Sequence, residues 1–431
     1  MTNNASQLAA PFHERWIGKR YQDLLEAFPV VVVTGARQTG KTTLVRESPP
    51  SSAWDYLSFD DPEVRRQAAA FAPALWEGSR EIVLDEVQRA PEVLSAVKLA
   101  VDADRSRRFV LTGSANLLLM KSVGESLAGR AAYLVLRPLS LGEWERDGEP
   151  SLILRNLLER PEEAPWSASA PGAAEVSPWS VVVRGLMPAL LGPAGKEAQA
   201  WWSGYVATYL DRDLLQLSQV DSLQSFHRVM QVLALRAGGL LNESEVARDG
   251  GVSAATVGRW LDLLQTGYLA QRLPAYAGNR TTRLMKMPKI HWLDPALGAF
   301  LAGHYSADAV AASREAGGLF EGLVCHHVRV LADLLTPPAE LMHWRTYRGD
   351  EVDMVVEHGR RVLAIEVKAT RRPAAEDVRG LRAFLRGSPQ AAGLLVHGGS
   401  ERRQMDRRIW AAPWTDLARG RQAAGEWAAG G

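Results

Sequence analysis

Val30-Val31-Val32-Val33-Thr34-Gly35-Ala36-Arg37-Gln38-Thr39-Gly40-Lys41-Thr42-Thr43 decides how the first third of this chain folds. Its opening β-branched run suits a strand buried on both faces, and the glycine-punctuated turn after it leads into a helical pattern. G-x-x-x-x-G-K-[ST] between a strand and a helix is a phosphate cradle, because the glycines let successive N–H groups turn inward and the helix N-terminus adds positive potential. Residues Gly35, Ala36, Arg37, Gln38, Thr39, Gly40, Lys41, Thr42 and Thr43 are the expected phosphate-binding set. Lys41 reaches the β/γ-phosphates in such a cradle, and the Thr42 hydroxyl holds Mg²⁺. Only eight of the 50 basic residues are lysine, so a lysine at a motif position is informative.

Outward from this stretch, short apolar runs at 55–59, 81–85, 108–112 and 132–136 alternate with helical patterns, after an amphipathic helix near 12–28. That alternation predicts an α/β unit with a five-stranded parallel sheet covered on both faces. Glu81-Ile82-Val83-Leu84-Asp85-Glu86 reads as a strand ending in two carboxylates. Asp85 is the expected Mg²⁺ ligand, and Glu86 the group that orients or deprotonates an attacking water. At the end of the 108–112 strand, Thr112, Ser114 and Asn116 are candidates for a polar sensor between metal and γ-phosphate. A simple turn is the alternative. Arg130 is a candidate for stabilising transferring charge in cis or from a neighbouring subunit.

Composition bounds the rest. The chain has 431 residues, 46% hydrophobic, 23% charged and 7% aromatic, which fits a globular protein of about two to four domains and excludes disordered and collagen-like classes. Its formal charge of +1 leaves nucleic-acid contact to local patches. The lone Cys325 rules out an intrachain disulfide, and the first residues lack a signal-peptide pattern, so a cytoplasmic setting without membrane contact is the expectation.

Residues 148–180 turn to Pro, Ala, Ser and Glu and read as a linker or exposed insertion. Residues 243–249 and 253–266, split by Gly250-Gly251, read as helix-turn-helix, with Ser253 as N-cap and Gly267 as the residue closing the second helix. Val257, Trp260, Leu261 and Leu264 give that helix an apolar face. Residues 268–279 are a candidate wing, and Arg272, Arg280, Arg283, Lys286 and Lys289 form an acid-free basic stretch. DNA contact, protein docking and a nucleotide lid all suit such a module.

From 318 onward the pattern is αβββαβ. Glu351-Val352-Asp353 and the strand 362–368 fold into a hairpin about His358-Gly359, so that period-2 alternation brings Asp353, Glu366 and Lys368 together. Two carboxylates can hold Mg²⁺ or Mn²⁺ against a scissile phosphate while a lysine assists the water. Glu321 on the preceding helix is a further candidate carboxylate, and a solvated hairpin with ordinary acids is the alternative. Residues 371–421 carry eleven arginines against five acids, a candidate phosphate-tracking face. Cys325-His326-His327 and the Trp201-Trp202 pair read as packing.

Two resemblances follow from these residues. VVVTGARQTGKTTLV (31–45), YLSFDDP (56–62), LDEVQ (84–88), LTGSAN (111–116) and LAGR (127–130) resemble prokaryotic AAA+ ATPases fused to a C-terminal domain of unknown function. The likeness extends through YVATYLDRDL (205–214), HWLDPALGAFL (291–301), and GDEVDMVV to AIEVKAT (349–370). It implies an AAA+ sheet, ATP and Mg²⁺, and a homo-oligomer. The D…E-x-K arrangement is similar to PD-(D/E)XK, restriction-endonuclease-like nucleases, with Glu351-Val352 in place of the named proline-aspartate. The expected organisation is an AAA+ P-loop ATPase domain at 1–147, the insertion at 148–180, a helical and winged-helix region at 181–317 and a nuclease-like α/β domain at 318–431. The expected activity is ATP hydrolysis controlling a DNA-associated, nuclease-like half; the alternative is a non-cutting regulatory or toxin–antitoxin-type ATPase that binds a protein or nucleic acid.

Overall fold

A computed structural model of the protein describes residues 12–113, 127–166, 176–208, 222–277, 283 and 286–420. They divide into two compact units, one from 12–34, 40–113 and 127–134, the other from 35–39 and 135–420. No helix among the described residues is long and apolar enough to cross a membrane.

The first unit runs α1 (Gly18–Ala27), β1 (Val30–Thr34), α2 (Lys41–Glu47), β2 (Asp55–Ser58), α3 (Pro62–Phe71), β3 (Glu81–Asp85), α4 (Val93–Ala103), β4 (Arg108–Thr112) and β5 (Ala131–Val135). The sheet order is β2-β3-β4-β1-β5, with β2–β3, β3–β4 and β1–β4 parallel. Every residue of β1 is buried, as a central parallel strand requires, and each buried valine contributes about 1.5–3 kcal/mol. α4 turns Val93, Leu94, Val97 and Val101 inward at helical spacing. Pro62 opens α3 behind the Asp61 cap, whose carboxylate accepts from Glu63 N at 2.8 Å. The predicted α/β sheet is therefore present, and its order sets the ends of β3, β4 and β1 side by side.

The second unit begins with α5 (Leu141–Glu145), started by a capping box between Ser140 and Glu143. α6 (Ile153–Glu159) falls where a linker or exposed insertion was expected, yet it buries Ile153, Leu154, Leu157 and Leu158 and packs on the C-terminal sheet. Four apolar residues in seven are enough for one helical stripe, too short for the Pro/Ser-rich surroundings to reveal. α7 (Pro178–Arg184), α8 (Lys196–Tyr205), α9 (Leu223–Ala234), α10 (Glu243–Gly250), α11 (Ala254–Thr266), β6 (Ala270–Leu273), β7 (Lys289–Trp292), α12 (Pro295–Leu301) and α13 (Ala307–Ala312) follow. Trp202 lies in the core of this region, as its reading as packing requires.

α14 (Ala316–Asp333) is the axis of the C-terminal part and is buried nearly all round. His327 Nδ1 lies 2.8 Å from Leu323 O while its Nε2 accepts from Leu141 N at 3.1 Å, and His326 Nε2 lies 2.9 Å from Leu139 O. Both histidines and the buried Cys325 are thus spent on packing. β8 (Glu340–Arg345), β9 (Glu351–His358), β10 (Arg361–Lys368), α15 (Arg379–Gly387), β11 (Ala392–His397), β12 (Arg403–Asp406), β13 (Ile409–Pro413) and α16 (Thr415–Ala418) complete the unit. Its six-stranded sheet runs β12-β13-β11-β10-β9-β8, with β10–β11 and β11–β13 parallel and the other pairs antiparallel. The αβββαβ order holds, and β12 and β13 extend it beyond the sequence reading.

Candidate functional site

The phosphate loop leaves β1 through Gly35, whose φ of 146° and surroundings admit no side chain: a Cβ there would stand 2.2 Å from Leu136 O. Thr39 Oγ1 donates to Ala36 O at 2.9 Å, and Gln38 and Gly40 adopt left-handed backbone before α2 begins at Lys41. Ala36, Thr39 and Lys41 are buried, while Arg37, Gln38 and Thr43 are exposed.

Thr42 and Asp85 come together as expected. Thr42 Oγ1 lies 3.1 Å from Asp85 Oδ2, Tyr56 OH donates to the same oxygen at 2.7 Å, and Thr112 Oγ1 donates to Oδ1. The carboxylate is met by three hydroxyls, a set of hard oxygen donors that fits Mg²⁺ at Thr42 and Asp85. Tyr56 was missed as a site residue, although it lies within the YLSFDDP stretch. It reaches Asp85 because β2 is the neighbour of β3, a long-range pairing. Burial, then the hydrogen bond to Asp85, raises its pKa, so the phenol stays a donor.

Glu86 follows at φ 58°, a strained left-handed position for a non-glycine residue at the strand end. Its N–H donates to Thr112 Oγ1 at 3.4 Å, and its carboxylate accepts from Gln88 Nε2. Burial pushes its pKa upward, in the direction of a general base that works near neutral pH. Thr112 is thereby the sensor candidate placed at the site; Ser114 and Asn116 lie outside the described residues. Arg130 forms a bidentate pair with Asp102 of α4 at 2.6 and 3.0 Å, and among the described residues no contact joins it to Asp85 or Glu86. Its side-chain partner here is a structural one.

In the second unit α10 and α11 form the helix–turn–helix. Ser253 caps α11 by accepting from Thr256 N at 3.1 Å, and Val257, Trp260, Leu261 and Leu264 are buried. Gly267 does not take the left-handed role expected of it: its φ is −68°, and Tyr268 at 54° makes the turn instead. β6 and β7 pair antiparallel behind it. The basic stretch does not form one solvent-facing patch. Arg272 donates to Asp262 at 2.6 Å, Arg283 pairs with Glu357 at 2.7 and 3.1 Å, Arg280 lies outside the described residues, and Lys289 is buried.

The predicted carboxylates meet where β9 and β10 pair. Asp353 Oδ2 accepts from Val367 N at 2.9 Å, and Lys368 Nζ donates to Glu366 Oε1 at 2.6 Å. Glu321 of α14 joins them through an unforeseen residue: Lys289 Nζ donates to Glu321 Oε1 at 2.9 Å and to Asp353 Oδ1 at 2.8 Å. Asp353, Glu366, Glu321 and Lys289 are all buried. Burial would lower the Lys289 pKa, but Glu321 and Asp353 outweigh it and keep the ammonium charged. Burial would raise that of Asp353, and Lys289 overrides it to hold the carboxylate ionised. Burial, then the charge of Asp353, pushes the Glu366 carboxyl well above the usual carboxylate range. The signal for Lys289 was its rarity as a lysine inside an apolar strand, which the reading as a basic stretch obscured. Lys289 thus stands between two of the expected carboxylates, and among the described residues no group of three or more His, Cys, Asp or Glu is placed to hold a metal.

Residues 27–145 match a family model described as an AAA domain, and residues 179–308 and 316–417 match two domains of unknown function, DUF8612 and DUF4143. The uncharacterized proteins Rv2008c of Mycobacterium tuberculosis and Mb2031c of Mycobacterium bovis are each 30% identical over 398 residues, spanning 91% of this chain and 82% of theirs. Among solved structures, the Walker-type ATPase PABY2304 of Pyrococcus abyssi is 15% identical with a TM-score of 0.44, over 67% of this chain and 96% of that one. The chain belongs to the same family as these mycobacterial proteins, its N-terminal part a P-loop AAA-family ATPase domain and its C-terminal part a DUF4143 domain.

Proposed function

We propose that the protein binds and hydrolyses ATP and is DNA-associated, its nucleotide cycle controlling the C-terminal half. The observation that carries the ATPase reading is the Thr42–Asp85 contact at the start of α2, with Glu86 next in chain. Loop N–H groups and Lys41 bind the phosphates, and Thr42 with Asp85 would hold Mg²⁺, which supplies charge neutralisation at the β- and γ-oxygens. Glu86 takes the proton of the attacking water, and Thr112 fixes Asp85 and the Glu86 backbone relative to each other. The helix–turn–helix with its β6–β7 ribbon, read as a winged module, supports DNA contact. A 460 Å³ cleft adds Arg386 and Arg408 beside Arg382 and Arg407, the latter two paired with Asp406 and Glu162 in the same lining.

ATP binding and turnover test this reading. Lys41→Ala is expected to lose nucleotide affinity, and Glu86→Gln to bind ATP yet turn over about 10²–10⁴-fold more slowly. Normal turnover in Glu86→Gln removes the role assigned to that residue.

A second reading, a non-cutting ATPase that binds a protein or nucleic-acid partner, is favoured by one observation: Lys289 occupies the centre of the nuclease-like carboxylate cluster. Incubating single- and double-stranded DNA with Mg²⁺ or Mn²⁺, with and without ATP, separates the two. Cleavage lost in Asp353→Ala and Lys368→Ala supports a nuclease; intact DNA beside active ATP hydrolysis supports the second reading.

A further inference from the structure

The acids of the C-terminal sheet have a cation already built in. Lys289 lies 5% exposed, and its ammonium spans 2.9 Å to a carboxylate on α14 and 2.8 Å to one on β9. His291, two residues along β7, adds its Nε2 at 3.2 Å from Glu321 Oε1. Both Asp353 oxygens are committed, one to Lys289 and the other to Val367 N. Glu366 spends Oε1 on Lys368, which leaves its Oε2 a buried oxygen with no hydrogen-bond partner among the described residues.

The backbone holds that ammonium in place. β7 is paired to β6 with Lys289 opposite Leu273, and on its other side Gly238 N donates to Ile290 O at 2.8 Å while Leu241 N donates to Pro288 O at 2.7 Å. The 237–239 turn in turn touches α14 backbone to backbone: a Cβ on Gly318 would stand 1.9 Å from Ala237 O, and one on Gly238 would stand 2.8 Å from Gly318 Cα. Glu321 is one helical turn beyond Gly318, so the same close approach brings its carboxylate to Lys289.

We infer that Lys289 is the resident cation of this carboxylate cluster and that it closes the cluster to divalent metal ions. A divalent ion binds through about six oxygens, and here it would find Glu366 Oε2 open but would have to compete for both Asp353 oxygens, Glu321 Oε1 and Glu366 Oε1, beside a fixed positive charge. Two ammonium groups, Lys289 and Lys368, already face the three carboxyls. Removing the charge of Lys289 leaves Glu321 and Asp353 buried and uncompensated, which creates the demand for a cation that the native site lacks. This deepens the non-cutting reading and is independent of the ATPase assignment.

The test is Mn²⁺ binding, followed by electron paramagnetic resonance on nucleotide-free full-length protein carrying Asp85→Asn, so that the phosphate-loop site does not contribute. That chain is expected to bind no Mn²⁺ that Asp353→Asn removes. Adding Lys289→Met is expected to create one site at least about tenfold tighter than any in the parent, abolished by Asp353→Asn, while Lys289→Arg creates none. Mn²⁺ binding by the parent that is lost in Asp353→Asn overturns the inference, as does a folded Lys289→Met chain that binds no better than the parent. Should Lys289→Met unfold the metal-free chain, recovery of its cooperative unfolding transition by Mn²⁺ supports the inference, and failure of the ion to restore it overturns it. ATP hydrolysis by the wild-type chain reports on the nucleotide site separately.

Discussion

Two buried aspartates are met by opposite kinds of partner. Asp85 is met by the hydroxyls of Thr42, Tyr56 and Thr112, whereas Asp353 is met by the ammonium of Lys289 and a backbone N–H. Hydroxyls orient a carboxylate without cancelling its charge, so the attraction for a cation persists. An ammonium cancels it. A pair of acids with a lysine two residues on is therefore not by itself a metal site; what stands opposite the acids decides.

The largest consequence is for stability. Asp353→Asn strips Lys289 of one of its two carboxylates inside the core and is expected to cost about 3–5 kcal/mol in urea unfolding. Asp85→Asn keeps an acceptor for neutral donors and is expected to cost about 1 kcal/mol while abolishing ATP turnover. Equal stability losses in the two variants would break the contrast between the sites.

A smaller effect sharpens it. Tyr56→Phe removes a donor that holds Asp85 from outside the metal's own ligand set, and the Mg²⁺ concentration for half-maximal ATP hydrolysis is expected to rise about 10–100-fold. An unchanged Mg²⁺ dependence would reduce Tyr56 to packing.

The smallest effect at working pH concerns the second unit, since of nine histidines only His13 falls in the first. Burial lowers His327 and His343 to about 4, against 6.5 when free. Between these values the unfolded chain binds more protons than the folded one, so this contribution is complete above pH 6.5 and is lost as pH falls toward 4. The unfolding midpoint of the second unit is expected to drop as the pH is lowered from about 7 to about 5, and His327→Gln to flatten that slope. A midpoint that does not move with pH would contradict it.

Local signals carried most of what the sequence revealed. β1, the glycine turn and Lys41 are contiguous, and the Asp353–Glu366 meeting needs only a hairpin with period-2 alternation, so both were legible. Tyr56 and Lys289 were not, because their roles depend on which strand or helix lies alongside: β2 beside β3, and β7 beside α14. β12 and β13 are short, and β12 is largely exposed, so no apolar run announced that strand. The helix Ile153–Glu159 was hidden by the composition around it. The Gly267 expectation failed because the chain leaves α11 one residue later, through Tyr268.

The glycines at 238 and 318 act as a gauge. Neither carries charge or meets a ligand, yet the gap they leave is narrower than one methyl group, and the reach of Lys289 to Glu321 is set across it. The electrostatics of the carboxylate cluster are thus written partly in steric terms, and an alanine at either glycine would retune a buried charge by displacement alone.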